Sequence, residues 1–429
     1  MTYPIDKYGL KAKETFDSLA RTVATYTANA WRVGNALDTM FDYMFYFPEE
    51  KARVAQLALC RWKSDEIQKT MCWYDDFAWW GIASAKAFDD RYAHVFDSYR
   101  SEFQALAMEC WTVVHSGRPH EVYKYKGVPN VWENRDEGSD RGYFTRPDTW
   151  AEPRYPGGTW QYEMFKDARH KCPDNRPCDG GECSYKNPGD PKDPEHGYLG
   201  PFQLTLMQGL YMVLALRLRA SGKGTEKAAE PVRGFLQNWF FDPVSSENKL
   251  LWDLGDRASV LVRERVSTYA SRGQRDFPAV QGYEKEEAWS GDQGLILGAL
   301  LDYLQLHESD RDAQSLPLKI MSGVFSRLVK SPKDKVVVPG TSGLLIKDLD
   351  DYECGSGVFW RYLLHGFDQN PALRKEVLKL VAADRENNAI YKSAEDAYNG
   401  NSLGDVLFKD FNTLATLTAA IEILKSAET

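Results

Sequence analysis

The stretch SGDQGLILGALLDYLQL, residues 290–306, decides the fold. Wound at 3.6 residues per turn it is apolar on nearly every side, with Gly294, Gly298 and Ala299 as its small positions. A helix without a polar face has to be buried all round. GPFQLTLMQGLYMVLALRL, residues 200–218, has the same character, and further apolar segments lie near 31–46, 76–88, 355–367 and 408–424. Amphipathic helical patterns alternate with them, near 7–29, 50–70, 91–116, 224–240, 311–330 and 372–385. Six buried helices alternating with six half-exposed ones describe two concentric rings, an all-α (α/α)6 barrel formed as a single domain over residues 1–429. No fixed-length sequence repeat accompanies the alternation, so the repetition is structural.

Gly and Pro punctuate the joins, and two β-prone runs, DRASVLVRERV at 256–266 and DKVVVPGTSGLLIKDL at 334–349, read as short hairpins in connecting loops. Residues 118–197 are rich in Pro, Gly, Asp, Tyr and Trp and form one connection far too long for a turn, the kind that usually carries function. Polar and aromatic residues gather at the starts of the buried segments, in WYDDFAWW, YLGPFQ, EEAWSGDQG and ECGSGVFWR. One mouth of the inner ring would therefore be polar. Ordinary N-capping by Asp, Ser and Gly accounts for part of the same pattern.

Composition narrows the function. The net charge of −9, without clustered Lys and Arg, disfavours nucleic acid and anionic membranes as partners. No apolar run approaches the ~18 residues of a membrane span. The N-terminal MTYPIDKYGLKAKETF lacks an apolar signal core, which fits a cytoplasmic chain or the mature form of an exported one. Aromatic residues make up 13% of the chain, and their flat faces suit sugar rings as well as a large core. Of the seven cysteines, Cys60, Cys72, Cys110 and Cys354 stand alone in helical text and read as small buried hydrophobes. Cys172, Cys178 and Cys183 cluster near His170, open to a local disulfide, to free thiols or to zinc. Their spacing lacks the C-x2-C knuckle of a zinc site. No cofactor motif is present, and no metal site is expected.

CWYDDFAWWG, residues 72–81, places two carboxylates among large aromatic rings. Like charges repel and apolar rings strip away water, so one of the two pKa values should rise. At a helix start the dipole and backbone N–H groups would hold the other carboxylate ionised. Adjacent residues on a near-helical backbone keep their carboxyls within roughly 5–6 Å, closer to the roughly 5–5.5 Å of retaining glycosidases than to the roughly 6.5–9.5 Å of inverting ones. An N-cap Asp with a solvated neighbour would look the same in isolation. Asp89–Asp90 and Asp350–Asp351 are adjacent too, but lie in polar junctions that water can reach.

WYDDFAWWGIASAKAF resembles the signature of glycoside hydrolase family 76, the endo-α-1,6-mannanases. WRVGNALDTMFDYM, PGGTWQY, WSGDQGLILGALLDYL and GSGVFWRYLLHGF are similar to other segments of that family in the same order, over about 30–424. The resemblance implies an (α/α)6 barrel that cleaves α-mannosidic bonds with retention, without a cofactor. Asp75 would then be the nucleophile and Asp76 the general acid/base. Trp79, Trp80, Trp160, Trp289, Asp292 and Gln293 would line the substrate cleft. The partner would be an oligo- or polysaccharide, the chain a monomer, and its place extracellular or at the cell surface. Two departures bear on substrate: Trp-Ser-Gly-Asp-Gln-Gly replaces a Tyr-Asn-Gln-Gly-like run, and 166–183 looks like an insertion, expected as a surface loop at the cleft rim. Alternatives are a hydrolase or transglycosylase acting on another α-linked glycan, an epimerase or isomerase on the same barrel, and a non-catalytic sugar-binding protein. None of the seven His lies in the motif-bearing helix starts, which weighs against the epimerase. Retaining both aspartates weighs against a binder.

Overall fold

The computed structural model describes residues 3–71, 74–89, 96–116, 205–220, 251–254, 258–262, 288–328, 353–402 and 404–429. The expected helix near 224–240, the hairpin at 334–349, the 118–197 connection, Trp160, and Cys172, Cys178 and Cys183 lie outside them. In chain order the main helices are α1 (Ile5–Thr25), α2 (Ala30–Tyr46), α3 (Lys51–Trp62), α4 (Tyr74–Ala87), α5 (Arg100–Ser116), α6 (Thr205–Ala220), α7 (Ser290–Leu306), α8 (Leu316–Arg327), α9 (Gly355–Gln369), α10 (Pro371–Ala383), α11 (Ala389–Tyr398) and α12 (Val406–Glu428).

Six of these form the inner ring. Contacts run α2–α4–α6–α7–α9–α12 and return from α12 to α2, so the ring closes. The six are buried on nearly every side: every residue of α6 from Met207 to Leu218 is buried, and in α7 every residue from Gly291 to Tyr303. Outer helices cover the seams. α1 packs on α12 and α2, α5 on α4 and α6, α8 on α7, and α10 on α9 and α12. The ring, closed by helices spread along most of the chain, is the (α/α)6 arrangement expected from the alternation.

Neighbouring inner helices all point the same way. Early positions of one meet early positions of the next: Trp80 Nε1 donates to Ala30 O at 2.8 Å, while further along both helices Lys86 reaches Asp38 and Asp42. Trp31 and Phe408 likewise meet at the starts of α2 and α12. Parallel packing follows from chain economy, because an outer helix carries the chain back between α2 and α4, between α4 and α6, and between α7 and α9. It places the six N-termini at one mouth, with their partial positive charges together.

Between α7 and α9 the approach is close. A Cβ on Gly294 would lie 2.7 Å from the Phe359 Cα and 2.8 Å from the Val358 carbonyl oxygen, both backbone atoms that cannot swing aside. Gly294→Ala is therefore expected to cost about 1–3 kcal/mol by overpacking, more than it gains in helix propensity. Urea denaturation checks this, and a stabilised variant would show that the seam can open freely.

Local signals set several boundaries. Asp405 accepts from the Phe408 N–H at 2.9 Å, Asn370 from Leu373 at 2.9 Å ahead of Pro371, and Asn388 from Tyr391 at 2.8 Å, each capping a helix. The last of these starts α11, which the periodicity reading passed over. It packs against α12 and α1, with Lys7 bonded to Glu395 at 2.8 Å. The expected strand within 256–266 is present as β2 (Val260–Val262), but its antiparallel partner β1 (Leu251–Asp253) precedes that run, with Leu251 opposite Val262. Cys110 and Cys354 are buried thiols as expected, whereas Cys60 is exposed on the solvent side of α3. Among the described residues no helix is long and apolar enough to cross a membrane.

Candidate active site

Asp75 and Asp76 occupy the first turn of α4, at the mouth where the inner helices begin. Asp75 is half-buried and Asp76 only 4% exposed. At 3.6 residues per turn, Asp75, Trp79 and Lys86 fall on one face of α4, while Asp76 is turned by about 100°. Phe77 and Trp80 lie on the opposite side, where both rings pack on Trp62 of α3. Asp75 therefore shares the face directed into the ring.

The rings expected around the pair divide into two kinds. Trp79 lies inside the barrel, its ring 6.3 Å from that of Trp31 and 5.9 Å from the guanidinium carbon of Arg361. Trp80 is fixed in the seam between α2 and α4: its indole N–H bonds Ala30 O, and a Cβ on Gly34 would meet its ring at 2.9 Å. That gives Trp80 a packing role. Both indoles are only 1% exposed.

Trp289 caps the start of α7 and is 5% exposed, with its ring over Gly291 and its indole nitrogen beside Gly355 of α9. Asp292 is fully buried in the first turn of α7. Gln293 is occupied structurally. Its Oε1 accepts from the Val262 N–H and its Nε2 donates to Val262 O, both at 2.7 Å, and Nε2 also reaches Trp289 O at 3.0 Å. The side chain thus pairs with β2 as a strand would and ties Trp289 in place. Asp75, Asp76, Trp79, Trp289 and Asp292 share the mouth end of the ring, and Trp160 lies outside the described residues.

The structure adds Trp31 to the mouth. It is half-buried at the start of α2, between Trp79 and Phe408, whose rings are 6.3 and 5.7 Å away. Arg32 beside it lies over the Phe408 ring at 4.4 Å and pairs with Asp405 at 3.0 Å. The signal is its place as the second residue of an inner helix, equivalent to that of Asp75 in α4.

Below the mouth the ring interior is ionic. Lys86, 3% exposed, stands 2.6 Å from Asp38 and 2.8 Å from Asp42, and Arg361 pairs with the other Asp38 oxygen at 3.2 Å. Burial pushes the Asp38 carboxyl up, but Lys86, Arg361 and Arg217 together outweigh burial and hold it below the usual carboxylate range. Further down, Asp302 takes His365 at 2.7 Å and Arg217 at 3.6 Å. Among the described residues no group of acidic, His or Cys side chains is arranged to hold a metal.

No family model matches the chain, and no curated protein matches it by sequence. Solved structures do. An inactive variant of the α-1,6-mannanase GH76A of Salegentibacter sp. HEL1_6, with two consecutive aspartates replaced by alanine and α-1,6-mannotetrose bound, superposes with a TM-score of 0.54 over 97% of this chain and 99% of its own, at 13% identity. The same mannanase without those replacements gives a TM-score of 0.52 over 98% and 99% at 13% identity. The family 76 mannosidase Bt3792 from Bacteroides thetaiotaomicron VPI-5482 gives 0.52 over 98% of this chain and 100% of its own, at 12% identity. At such identities the likeness concerns the path of the backbone. The chain has the fold of these glycoside hydrolase family 76 structures along nearly its whole length, with its own adjacent aspartates at the start of the second inner helix.

Proposed function

We propose that the protein is a glycoside hydrolase of the family 76 type that cleaves α-mannosidic bonds with retention of configuration. The observation that carries this reading is the consecutive pair Asp75–Asp76 in the first turn of α4, one turn before an interior Trp79, at the mouth where the inner helices start. The similar mannanase made inactive by replacing two consecutive aspartates supports it.

In this mechanism Asp75, on the inward face, attacks the anomeric carbon and displaces the leaving sugar, while Asp76 donates a proton to the departing glycosidic oxygen. The resulting glycosyl ester on Asp75 is then hydrolysed by water, from which Asp76 takes a proton. Converging helix N-termini favour the ionised form of the attacking carboxylate. Trp31, half-buried beside Trp79, is the described ring best placed to face a sugar, with Trp289 across the mouth. Asp292, buried on the next turn from Trp289, is the polar candidate for a sugar hydroxyl.

The substrate we propose is an α-1,6-linked mannan cut internally. Neutral sugar faces suit the aromatic mouth, and the net charge of −9 disfavours polyanions. Debranched yeast mannan, α-1,6-mannobiose, α-glucans and fructans incubated in parallel should yield oligosaccharides of mixed length from mannan alone. Early products followed by NMR should keep the α-configuration. Release from another glycan with mannan untouched would overturn the substrate, and net inversion would overturn the covalent route.

A further inference from the structure

Arg361 sits on α9, the inner helix opposite α4 in the ring order, and is 2% exposed. It crosses the interior. Its Nη1 donates to Thr39 Oγ1 at 2.7 Å and to Asn35 O at 3.0 Å, both on α2, and its Nε lies 3.2 Å from Asp38. The guanidinium carbon then stands 5.9 Å from the Trp79 ring centroid, on the face of α4 that also carries Asp75. Asp38 continues the chain of contacts to Lys86, lower on α4, at 2.6 Å. Arg361 and Lys86 thus hold α4 at two heights, and both holds run through α2.

Charge balance alone does not account for this arrangement. Asp38 and Asp42 need two cations, which two lysines would provide. The extended planar guanidinium lets Nη1 bond a carbonyl and a hydroxyl of α2 while Nε faces the Asp38 carboxylate and the group's carbon stands near the Trp79 ring. The single nitrogen of a lysine does not cover that spread. We infer that Arg361 is a positioning residue: fastened to Asp38, Thr39 and the Asn35 carbonyl, it supports Trp79 and thereby fixes the turn of α4 that carries Asp75. The inference rests on the glycosidase reading of Asp75 and Asp76.

The distinguishing variant is Arg361→Lys, which keeps the cation and loses the fork. With debranched mannan as substrate, kcat per folded molecule should fall by roughly 100-fold, the scale of a nucleophile misplaced by about 1 Å, while KM moves less than about threefold. Thr39→Val removes one anchor without changing charge or size, and should lower kcat by about 10-fold with KM again held. Circular dichroism confirms folding, and Thr39→Val decides the matter if Arg361→Lys does not fold. Loss of kcat at constant KM supports the inference. Folded variants whose kcat stays within about threefold of wild type, or whose loss is entirely in KM, overturn it. An active wild type, a dead Asp75→Asn and an unaffected Arg361→Lys would remove this inference alone. A wild type inactive on every glycan would remove the glycosidase reading and this inference with it.

Discussion

Replacing Asp75 by asparagine is expected to lower turnover of mannan by at least about 10^4-fold, because the amide cannot form the glycosyl ester. The fold should survive, since asparagine keeps the shape of the side chain and Asp75 is only half-buried, while the residues that hold α4 in place are unchanged. Asp76→Asn should behave differently. Loss of the proton donor costs about 10^2–10^4-fold on a sugar leaving group. An activated aryl mannoside, which leaves with little protonation, should lose far less in the first step. It should then show a burst, because water is no longer activated for the second. Measuring both variants on both substrates separates the roles: equal losses for Asp76→Asn on the two substrates would remove its assignment as acid. Activity within a few-fold of wild type in Asp75→Asn would end the mechanism.

The inner ring was legible because burial on all sides leaves a plain mark: segments such as 290–306 and 406–428 have almost nothing for water to solvate. α11 left a weaker mark. Its ten residues bury only Ile390, Ala394 and Ala397, too few to stand out as a period. The aspartate pair could be found from its aromatic surroundings, but which way each ring pointed could not. Trp79 and Trp80 are neighbours in sequence, and the step of about 100° between them sends one into the barrel and the other into the α2–α4 seam. The family resemblance put Gln293 at the cleft, and β2, from a separate part of the chain, bonds both ends of its amide. Asp38, Lys86 and Arg361 were visible only as single charges inside apolar helices. Their meaning comes from three helices meeting, which no local pattern records.

Lys86 carries the largest stability effect expected in the molecule. It is nearly sealed from solvent, and its amine lies within 2.6 and 2.8 Å of two carboxylates and donates to Asp38 O at 3.2 Å. Lys86→Met fills similar space but leaves Asp38 and Asp42 buried with one cation fewer, which should cost about 3–5 kcal/mol. Lys379→Met, which breaks an exposed pair with Glu376 at 2.5 Å, should cost no more than about 1 kcal/mol. The pH dependence identifies the cause. In the wild type Asp38 is held below its ordinary 3.8, so its contribution is complete above that value and is lost as pH falls through the lower, folded one. Without Lys86 the buried carboxylates resist ionisation, so folding takes up protons and the variant is penalised most at neutral pH. The two stability curves should therefore converge as pH falls from 7 towards 4. Adding Asp42→Asn to Lys86→Met, which removes the second carboxylate while Asp38 keeps Arg361, should restore part of the loss. Denaturant titrations at several pH values test all three. A deficit below about 1 kcal/mol at pH 7, or one that widens on acidification, would show that packing around the lysine stem, rather than its charge, is what the ring interior requires.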